Sequence, residues 1–125
     1  MPGSVVVVDR DEEMRDLFHA VLTRAGHTVN TFSSLNELPA APNWQPDILM
    51  VDAGYAVDGD LPALMNRVSA QHSSSEVVYL VNRSESALKR QLERGRIRHF
   101  VRPFQIEDLR ELVNTLLERR SPARR

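Results

Sequence analysis

The sequence predicts a doubly wound α/β fold, with a five-stranded parallel sheet and five helices in a single domain. Short valine-rich runs alternate with longer segments whose apolar residues recur every three or four positions, the pattern of strands alternating with amphipathic helices. The first run, Val5 to Val8, is continuously β-branched, as expected of a strand covered on both faces. A length of 125 residues suffices for one hydrophobic core. We place the domain at residues 1–120 and expect residues 121–125 to be a frayed tail or the start of a linker.

In the first half of the chain, each predicted strand is followed by a helix. The strand Val5 to Val8 ends at Asp9, and the first helix begins near Asp11 and is capped by Gly26. The apolar stripe of this helix comprises Met14, Leu17, Phe18, Val21, Leu22 and Ala25. A second strand covers residues 27–32. Ser34 and Glu37 have the spacing of a capping box, which predicts a short second helix. Three prolines follow it: Pro39, Pro42 and Pro46.

The second half repeats the alternation, with strands over residues 47–52, 77–81 and 97–101. The third helix begins near Asp60 and Pro62, and its apolar residues are Leu61, Leu64, Met65 and Val68. The fourth helix has Ser84 as its N-cap and ends at Gly95. We expect this helix to pack loosely, because few of its residues face the core: Ala87, Leu88 and Leu92. The fifth helix has the longest stripe: Ile106, Leu109, Leu112, Val113, Leu116 and Leu117.

The composition excludes several kinds of function. The chain has no cysteine, which rules out disulfides, thiolate catalysis and cysteine-ligated metal sites. Its histidines lack the HExxH spacing of zinc enzymes: His19, His27, His72 and His99. No apolar run approaches the roughly 20 residues needed to span a bilayer. We therefore expect a cytoplasmic protein.

Charge is distributed unevenly along the chain. Residues 1–60 carry a net charge of −7, residues 61–125 carry +6, and the stretch 83–102 alone carries +5. Two interpretations remain open for this stretch, a surface for an acidic partner or a solvated basic helix. We expect no direct binding of nucleic acid, because the sequence has neither a helix-turn-helix nor a basic patch interleaved with aromatic residues.

Charged and polar residues stand at the ends of the predicted strands, where a doubly wound sheet binds its ligands. They are Asp9 and Arg10 after the first strand, Asp52 at the end of the third, Asn82 with Arg83 after the fourth, and Arg102 after the fifth. No glycines follow the first strand, so a dinucleotide or P-loop site is disfavoured. The DxHxxG loop of cobalamin-binding domains is also absent.

Three segments resemble the receiver domain of two-component response regulators: Val7 to Arg15, Pro46 to Asp52 and Phe100 to Phe104. The resemblance implies a flavodoxin-like fold in which Asp52 accepts a phosphoryl group from a histidine kinase. It also implies a magnesium ion near Asp9, Asp52 and the main-chain carbonyl of Gly54. His99 occupies the position where the family often has an aromatic switch residue. The implied surface for partners, or for a homodimer, comprises the fourth helix, the fifth strand and the fifth helix.

Three positions depart from the family pattern. Arg10 stands where a second acid is usual, Asn82 where a hydroxyl is usual, and Arg102 where a lysine is usual. Asp9 and Asp52 are therefore balanced by Arg10 and Arg102, and we expect weak magnesium binding because Arg10 either pairs with Asp52 or repels the cation. A third possibility leaves Arg10 in solvent.

Two signalling hypotheses follow, and one enzymatic alternative. In the favoured one, the domain is a pseudo-receiver with a degenerate phosphorylation site, and it acts through protein contacts. In the other, Asp52 is a conventional phosphoryl acceptor whose modification shifts the conformation of the partner surface. The alternative rests on the run Asp9-Arg10-Asp11 after a hydrophobic strand, which resembles the DxD opening of phosphatases of the haloacid-dehalogenase type and implies Asp9 as nucleophile and Asp11 as acid and base. Otherwise we expect no enzyme activity beyond phosphorylation and dephosphorylation of Asp52 itself.

Overall fold

A computed structural model describes residues 2–41 and 43–120. Five parallel strands form one sheet in the order β2-β1-β3-β4-β5. The strands are β1 (Ser4–Val8), β2 (Thr28–Phe32), β3 (Ile48–Asp52), β4 (Glu76–Asn82) and β5 (His99–Arg102). Within the described residues there are four α-helices: α1 (Glu12–Arg24), α2 (Leu61–Gln71), α3 (Ser86–Arg94) and α4 (Ile106–Arg119). The predicted sheet is confirmed.

The predicted number of helices is wrong by one. The second predicted helix is a single 3-10 turn, Leu35–Glu37. The Glu37 carboxylate does accept from the Ser34 N–H at 3.2 Å, as in a capping box, but Pro39 follows too closely for an α-helical turn to form. The third, fourth and fifth predicted helices are therefore α2, α3 and α4. Two more 3-10 turns, Ala53–Tyr55 and Val57–Gly59, connect β3 to α2.

The core has two layers, one on each face of the sheet. Helices α1 and α4 pack on one face through residues such as Phe18, Leu22 and Leu109. Helix α2 and the end of α3 pack on the other face through residues such as Leu64 and Leu92. The side chains of β1 alternate between the two layers, and all of Val5 to Val8 are buried. This confirms the prediction of a strand covered on both faces.

Local details of α3 and β5 differ from the predictions. The N-cap of α3 is Glu85 instead of Ser84, because Asn82 to Glu85 form a turn in which the Glu85 N–H donates to the Asn82 carbonyl at 2.9 Å. Ala87 is exposed and does not contribute to the core. Strand β5 begins at His99 and not at Ile97, because the Ile97 N–H still donates to the Leu92 carbonyl of α3 at 2.9 Å.

The predicted tail, residues 121–125, lies outside the described residues, as does Pro42. None of the helices in residues 2–41 and 43–120 combines the length and the apolar character that crossing a bilayer requires.

Candidate functional site

The carboxyl ends of β1, β3, β4 and β5 bring the predicted site residues together. In the sheet, β1 lies between β2 and β3, so the chain changes direction across the sheet at this point, where doubly wound folds bind ligands. A cleft of ≈ 250 Å³ opens there, and its lining comprises Asp9, Arg10, Asp11, Met14, Asp52, Asn82 and Arg102. Five residues predicted at four strand ends therefore share one cleft.

Asp9 and Arg102 form a buried ion pair at the base of the cleft. Their side chains are 1% and 5% exposed, and Arg102 Nη1 donates to Asp9 Oδ2. The other oxygen, Asp9 Oδ1, accepts from the Asp11 N–H at 2.9 Å. Burial raises the pKa of Asp9, and the Asp11 N–H and the Arg102 charge offset part of that rise. Both carboxylate oxygens of Asp9 are thus engaged within the protein.

Asp52 is buried beside this pair and is held by a second arginine. Arg10 Nε donates to Asp52 Oδ2 at 2.9 Å, and Arg10 Nη2 donates to Oδ1 at 3.4 Å. Oδ1 also accepts from the Gly54 N–H at 2.9 Å and lies 3.4 Å from Arg102 Nη2. Of the arrangements that the sequence leaves open for Arg10, the structure has the one in which it pairs with Asp52.

The Arg10 guanidinium lies directly over the chain that follows β3. A Cβ atom on Gly54 would stand 1.9 Å from Arg10 Nη2, so only a glycine leaves room for the side chain in this position. The ring of Tyr55 supports the guanidinium from 5.9 Å, within the range of a cation–π interaction. The hydrogen bond to Asp52 raises the pKa of Arg10. Arg10 is nevertheless half-exposed, with 49% of its side chain accessible to water.

Glu85 connects this cluster to the start of α3. Its Oε2 lies 3.7 Å from Arg10 Nη2, and its Oε1 accepts from the Asn82 N–H at 2.9 Å. Arg10 is therefore in contact with both the phosphoacceptor position implied by the resemblance, Asp52, and the residue that caps α3.

Comparisons with known proteins identify the fold. No protein-family model matches the chain. The DNA-binding transcriptional regulator NtrC of Klebsiella pneumoniae is 30% identical over 115 residues, which cover 90% of this chain and 24% of that protein. The chain thus spans about a quarter of the length of the curated relatives it matches. NtrC is described as DNA-binding as a whole protein, and this chain matches only 24% of it. The expectation that this chain does not itself bind nucleic acid therefore stays a prediction.

Solved structures resemble this chain over almost its whole length. The structure of a transiently phosphorylated "switch" in bacterial signal transduction has a TM-score of 0.75 and 29% identity, covering 95% of this chain and 98% of that one. A response regulator receiver protein from Burkholderia phymatum has a TM-score of 0.72 and 22% identity, covering 92% of this chain and 94% of that one. The chain has the fold of a response-regulator receiver domain. The predicted flavodoxin-like receiver fold is confirmed.

The residues of the cleft do not fit a divalent cation as they are arranged. A magnesium site needs several oxygen ligands that are free to coordinate. Here, guanidinium or main-chain N–H groups already occupy the oxygens of Asp9 and Asp52. In residues 2–41 and 43–120, no group of three or more His, Asp or Glu side chains could hold a metal ion. The resemblance implies the main-chain carbonyl of Gly54 as a ligand. The Arg10 guanidinium packs against this glycine.

Two residues of the prediction lie elsewhere or have other contacts. His99 begins β5, its Nδ1 lies 2.7 Å from the Ile97 carbonyl oxygen, and it does not line the cleft. Asp11 caps α1, since its carboxylate accepts from the Glu13 N–H at 3.0 Å. The phosphatase alternative requires Asp11 to act on a substrate bound to Asp9, and these contacts lend it no support.

Three residues in or beside the cleft are not predicted by the sequence patterns. The sequence patterns place Glu85 only at the start of the fourth predicted helix, and they give Tyr55 no role. Arg15 donates from its Nη1 to the main-chain carbonyl of Asp9 at 2.7 Å, and the sequence patterns give it no role beyond its place in the first motif. A signal existed for Arg15, because the first turn of a helix that begins after β1 returns to the strand end. No pattern in the sequence indicates that Tyr55 lies under Arg10.

Proposed function

We propose that this receiver domain transmits signals with a degenerate phosphorylation site, through protein contacts on the surface formed by α3, β5 and α4. The observation that carries the proposal is the Arg10 side chain, which binds both oxygens of Asp52. In this proposal Arg10 and Arg102 hold one conformation of the domain, and partner binding does not require phosphate on Asp52.

Phosphoryl transfer to a carboxylate needs an unobstructed oxygen and positive charge at the transferring group. At Asp52, each oxygen accepts a hydrogen bond from Arg10, and charge-assisted bonds of this kind lower the nucleophilicity of the acceptor. In the buried part of the pocket, the guanidinium groups of Arg10 and Arg102 balance the carboxylates of Asp9 and Asp52, and a third carboxylate, Glu85, lies against the outer side of Arg10. Little excess negative charge remains to attract a divalent cation.

The partner surface has a positive charge. Residues 83–102 carry a net charge of +5, and the side chains of Arg83, Arg90 and Arg94 are exposed. An acidic surface on the partner would complement it and would accelerate association at low ionic strength. The partner is a histidine kinase or another signalling protein of the same system.

The conventional function, with Asp52 phosphorylated by a histidine kinase, is the second candidate. One observation favours it: Arg10 is 49% exposed, so its side chain can move into water at small cost. Arg10, Arg102 and Asn82 would then be placed to donate hydrogen bonds to phosphoryl oxygens.

A single variant separates the two candidates. Arg10→Asp removes the guanidinium and supplies the acid that the family usually has. In amide NMR titrations we expect the wild-type chain to bind magnesium weakly, and Arg10→Asp to bind it at least about tenfold more tightly, or about 1.4 kcal/mol. Beryllium fluoride, added with magnesium, should then shift the amides around Asp52 in Arg10→Asp only. Arg110→Asp, which makes the same change of charge at an exposed arginine of α4 outside the cleft, is the matched control.

Two outcomes would overturn the proposal. The first is uptake of beryllium fluoride, or of phosphate from a small acyl phosphate, by the wild-type chain, with shifts in α3 that Asp52→Asn abolishes. That result would establish the conventional function. The second is an unchanged magnesium affinity in Arg10→Asp, which would show that Arg10 is not what keeps the cation out.

A further inference from the structure

A groove lies at the opposite end of the sheet from the Asp52 cleft. It runs between α2 and the connection from α3 to β5, beside the start of β4, and its volume is ≈ 470 Å³. Its floor is apolar and half-buried, formed by Met65, Val77 and Ile97. Its rim includes the exposed residues Asn66, Ser69 and Arg96. None of these residues takes part in the ion pairs around Asp52.

Arg96 has an unusual backbone conformation for a large side chain. Helices α1 and α3 end in the same hydrogen-bonded motif, in which two successive N–H groups return to the last turn of the helix. In α1 the residue in the left-handed region is Gly26, with φ +100, whereas in α3 it is Arg96, with φ +53. Glycine adopts this region freely, and an arginine there is strained. A glycine is available next to it, because Gly95 stands one position earlier with φ −81.

The charge of Arg96 is not balanced at the groove. Arg98, which also lines it, forms an ion pair with Glu76 at 2.8 Å. No ion pair involves Arg96 among residues 2–41 and 43–120. The groove therefore combines an apolar floor with one uncompensated cation held at its edge. Strained residues of this kind concentrate at functional sites, because elsewhere an unstrained residue is more stable.

We propose that this groove binds an acidic segment of a partner protein, with an apolar side chain of the segment on Met65, Val77 and Ile97 and a carboxylate on Arg96. The apolar floor favours a peptide over a nucleic acid, whose backbone would place phosphates against it. Binding here does not depend on the state of Asp52, so this proposal and the proposed function stand or fall separately.

The test begins with a library of random peptides displayed on phage and selected on the wild-type chain, after which the enriched peptides are compared on wild type and Arg96→Gly. The glycine variant removes the cation and also relieves the strain, so we expect its thermal unfolding midpoint to rise while binding is lost. Enriched peptides should contain acidic residues beside an apolar residue. A synthetic peptide of the enriched sequence should bind Arg96→Gly about tenfold more weakly than wild type, and Arg96→Lys should retain part of the affinity.

The matched control is Arg110→Gln, which neutralises an exposed arginine of α4 on the other face of the sheet and should leave the affinity unchanged. Amide shifts caused by the peptide should map to Met65, Val77 and Ile97. Equal affinity of wild type and Arg96→Gly, enrichment of sequences without acidic residues, or shifts confined to α4 would each overturn the proposal. So would salt-sensitive self-association in sedimentation that Arg96→Gly abolishes, since the occupant would then be a second copy of the chain.

Discussion

Two arginine–aspartate pairs lie side by side in the cleft, and they differ in their contact with water. In the Arg102–Asp9 pair, both side chains are almost fully buried, at 5% and 1% exposed. In the Arg10–Asp52 pair, the carboxylate is equally buried but the guanidinium is 49% exposed. The same kind of ion pair is therefore sealed from water in one case and open to water in the other. Removing one partner of a sealed pair leaves an uncompensated buried charge, whereas the exposed partner of an open pair exchanges its contacts for water.

The difference indicates which pair can change state. Arg102 is fixed between two carboxylates, since it contacts Asp9 and lies 3.4 Å from Asp52. Arg10 is fixed by Asp52, Tyr55 and Glu85 at the surface, and it can leave with a modest loss. If Arg10 keeps Asp52 from being phosphorylated, as we propose, then this inhibition depends on the weaker of the two ion pairs.

The largest expected effect comes from removing each guanidinium in turn. Arg102→Met leaves Asp9 buried without its counter-charge, and we expect a loss of about 3–5 kcal/mol in the free energy of unfolding. Arg10→Met exposes Asp52 to water on one side, and we expect a loss of about 1 kcal/mol or less. Urea denaturation at neutral pH, followed by circular dichroism, measures both. Adding Asp9→Asn to Arg102→Met should restore part of the loss, and equal losses for the two single variants would contradict the distinction between the pairs.

A smaller effect tests how Arg10 is held. In Gly54→Ala the new methyl group would stand 1.9 Å from Arg10 Nη2, so the guanidinium must move away from Asp52. We expect the cost of this change to be about 1 kcal/mol larger in the wild-type background than in Arg10→Met, as is typical of residues in contact. Urea denaturation of the four proteins completes the double-mutant cycle. Additive losses would show that the arginine already occupies another position.

The strand ends were predictable because they depend on periodicity and topology alone. Val5 to Val8 could only be a strand covered on both faces, and the carboxyl ends of parallel strands meet at one edge. That is enough to bring Asp9, Asp52 and Arg102 together. The direction of the Arg10 side chain was not predictable. It depends on the space left by Gly54, which has no side chain, and on the position of Tyr55, and the loop after β3 determines both.

The helix ends show a second limit of sequence patterns. Ser34 and Glu37 have the spacing of a capping box, yet the helix it predicts stops after one turn because Pro39 follows. Gly95 is the residue type expected in the left-handed position at the end of a helix, yet the residue in that region is Arg96. In both places the conformational preference of a few residues competes with the path that the chain must take to the next strand. The sequence alone does not show which of the two effects is stronger.

The smallest expected effect concerns the protonation of Asp9. Burial raises the pKa of this carboxyl above 3.8 even though Arg102 and the Asp11 N–H oppose the rise. The folded state therefore binds this proton more tightly than the unfolded state. The stabilising contribution of the proton is complete below pH 3.8 and disappears as the pH rises through the folded-state pKa. A carboxyl-carbon NMR titration should show Asp9 titrating above 3.8, and higher still in a chain carrying Arg102→Met that remains folded. An Asp9 pKa below 3.8 in the wild-type chain would mean that the ion pair outweighs desolvation, and the sealed pair would then stabilise the ionised carboxylate as strongly as an open one.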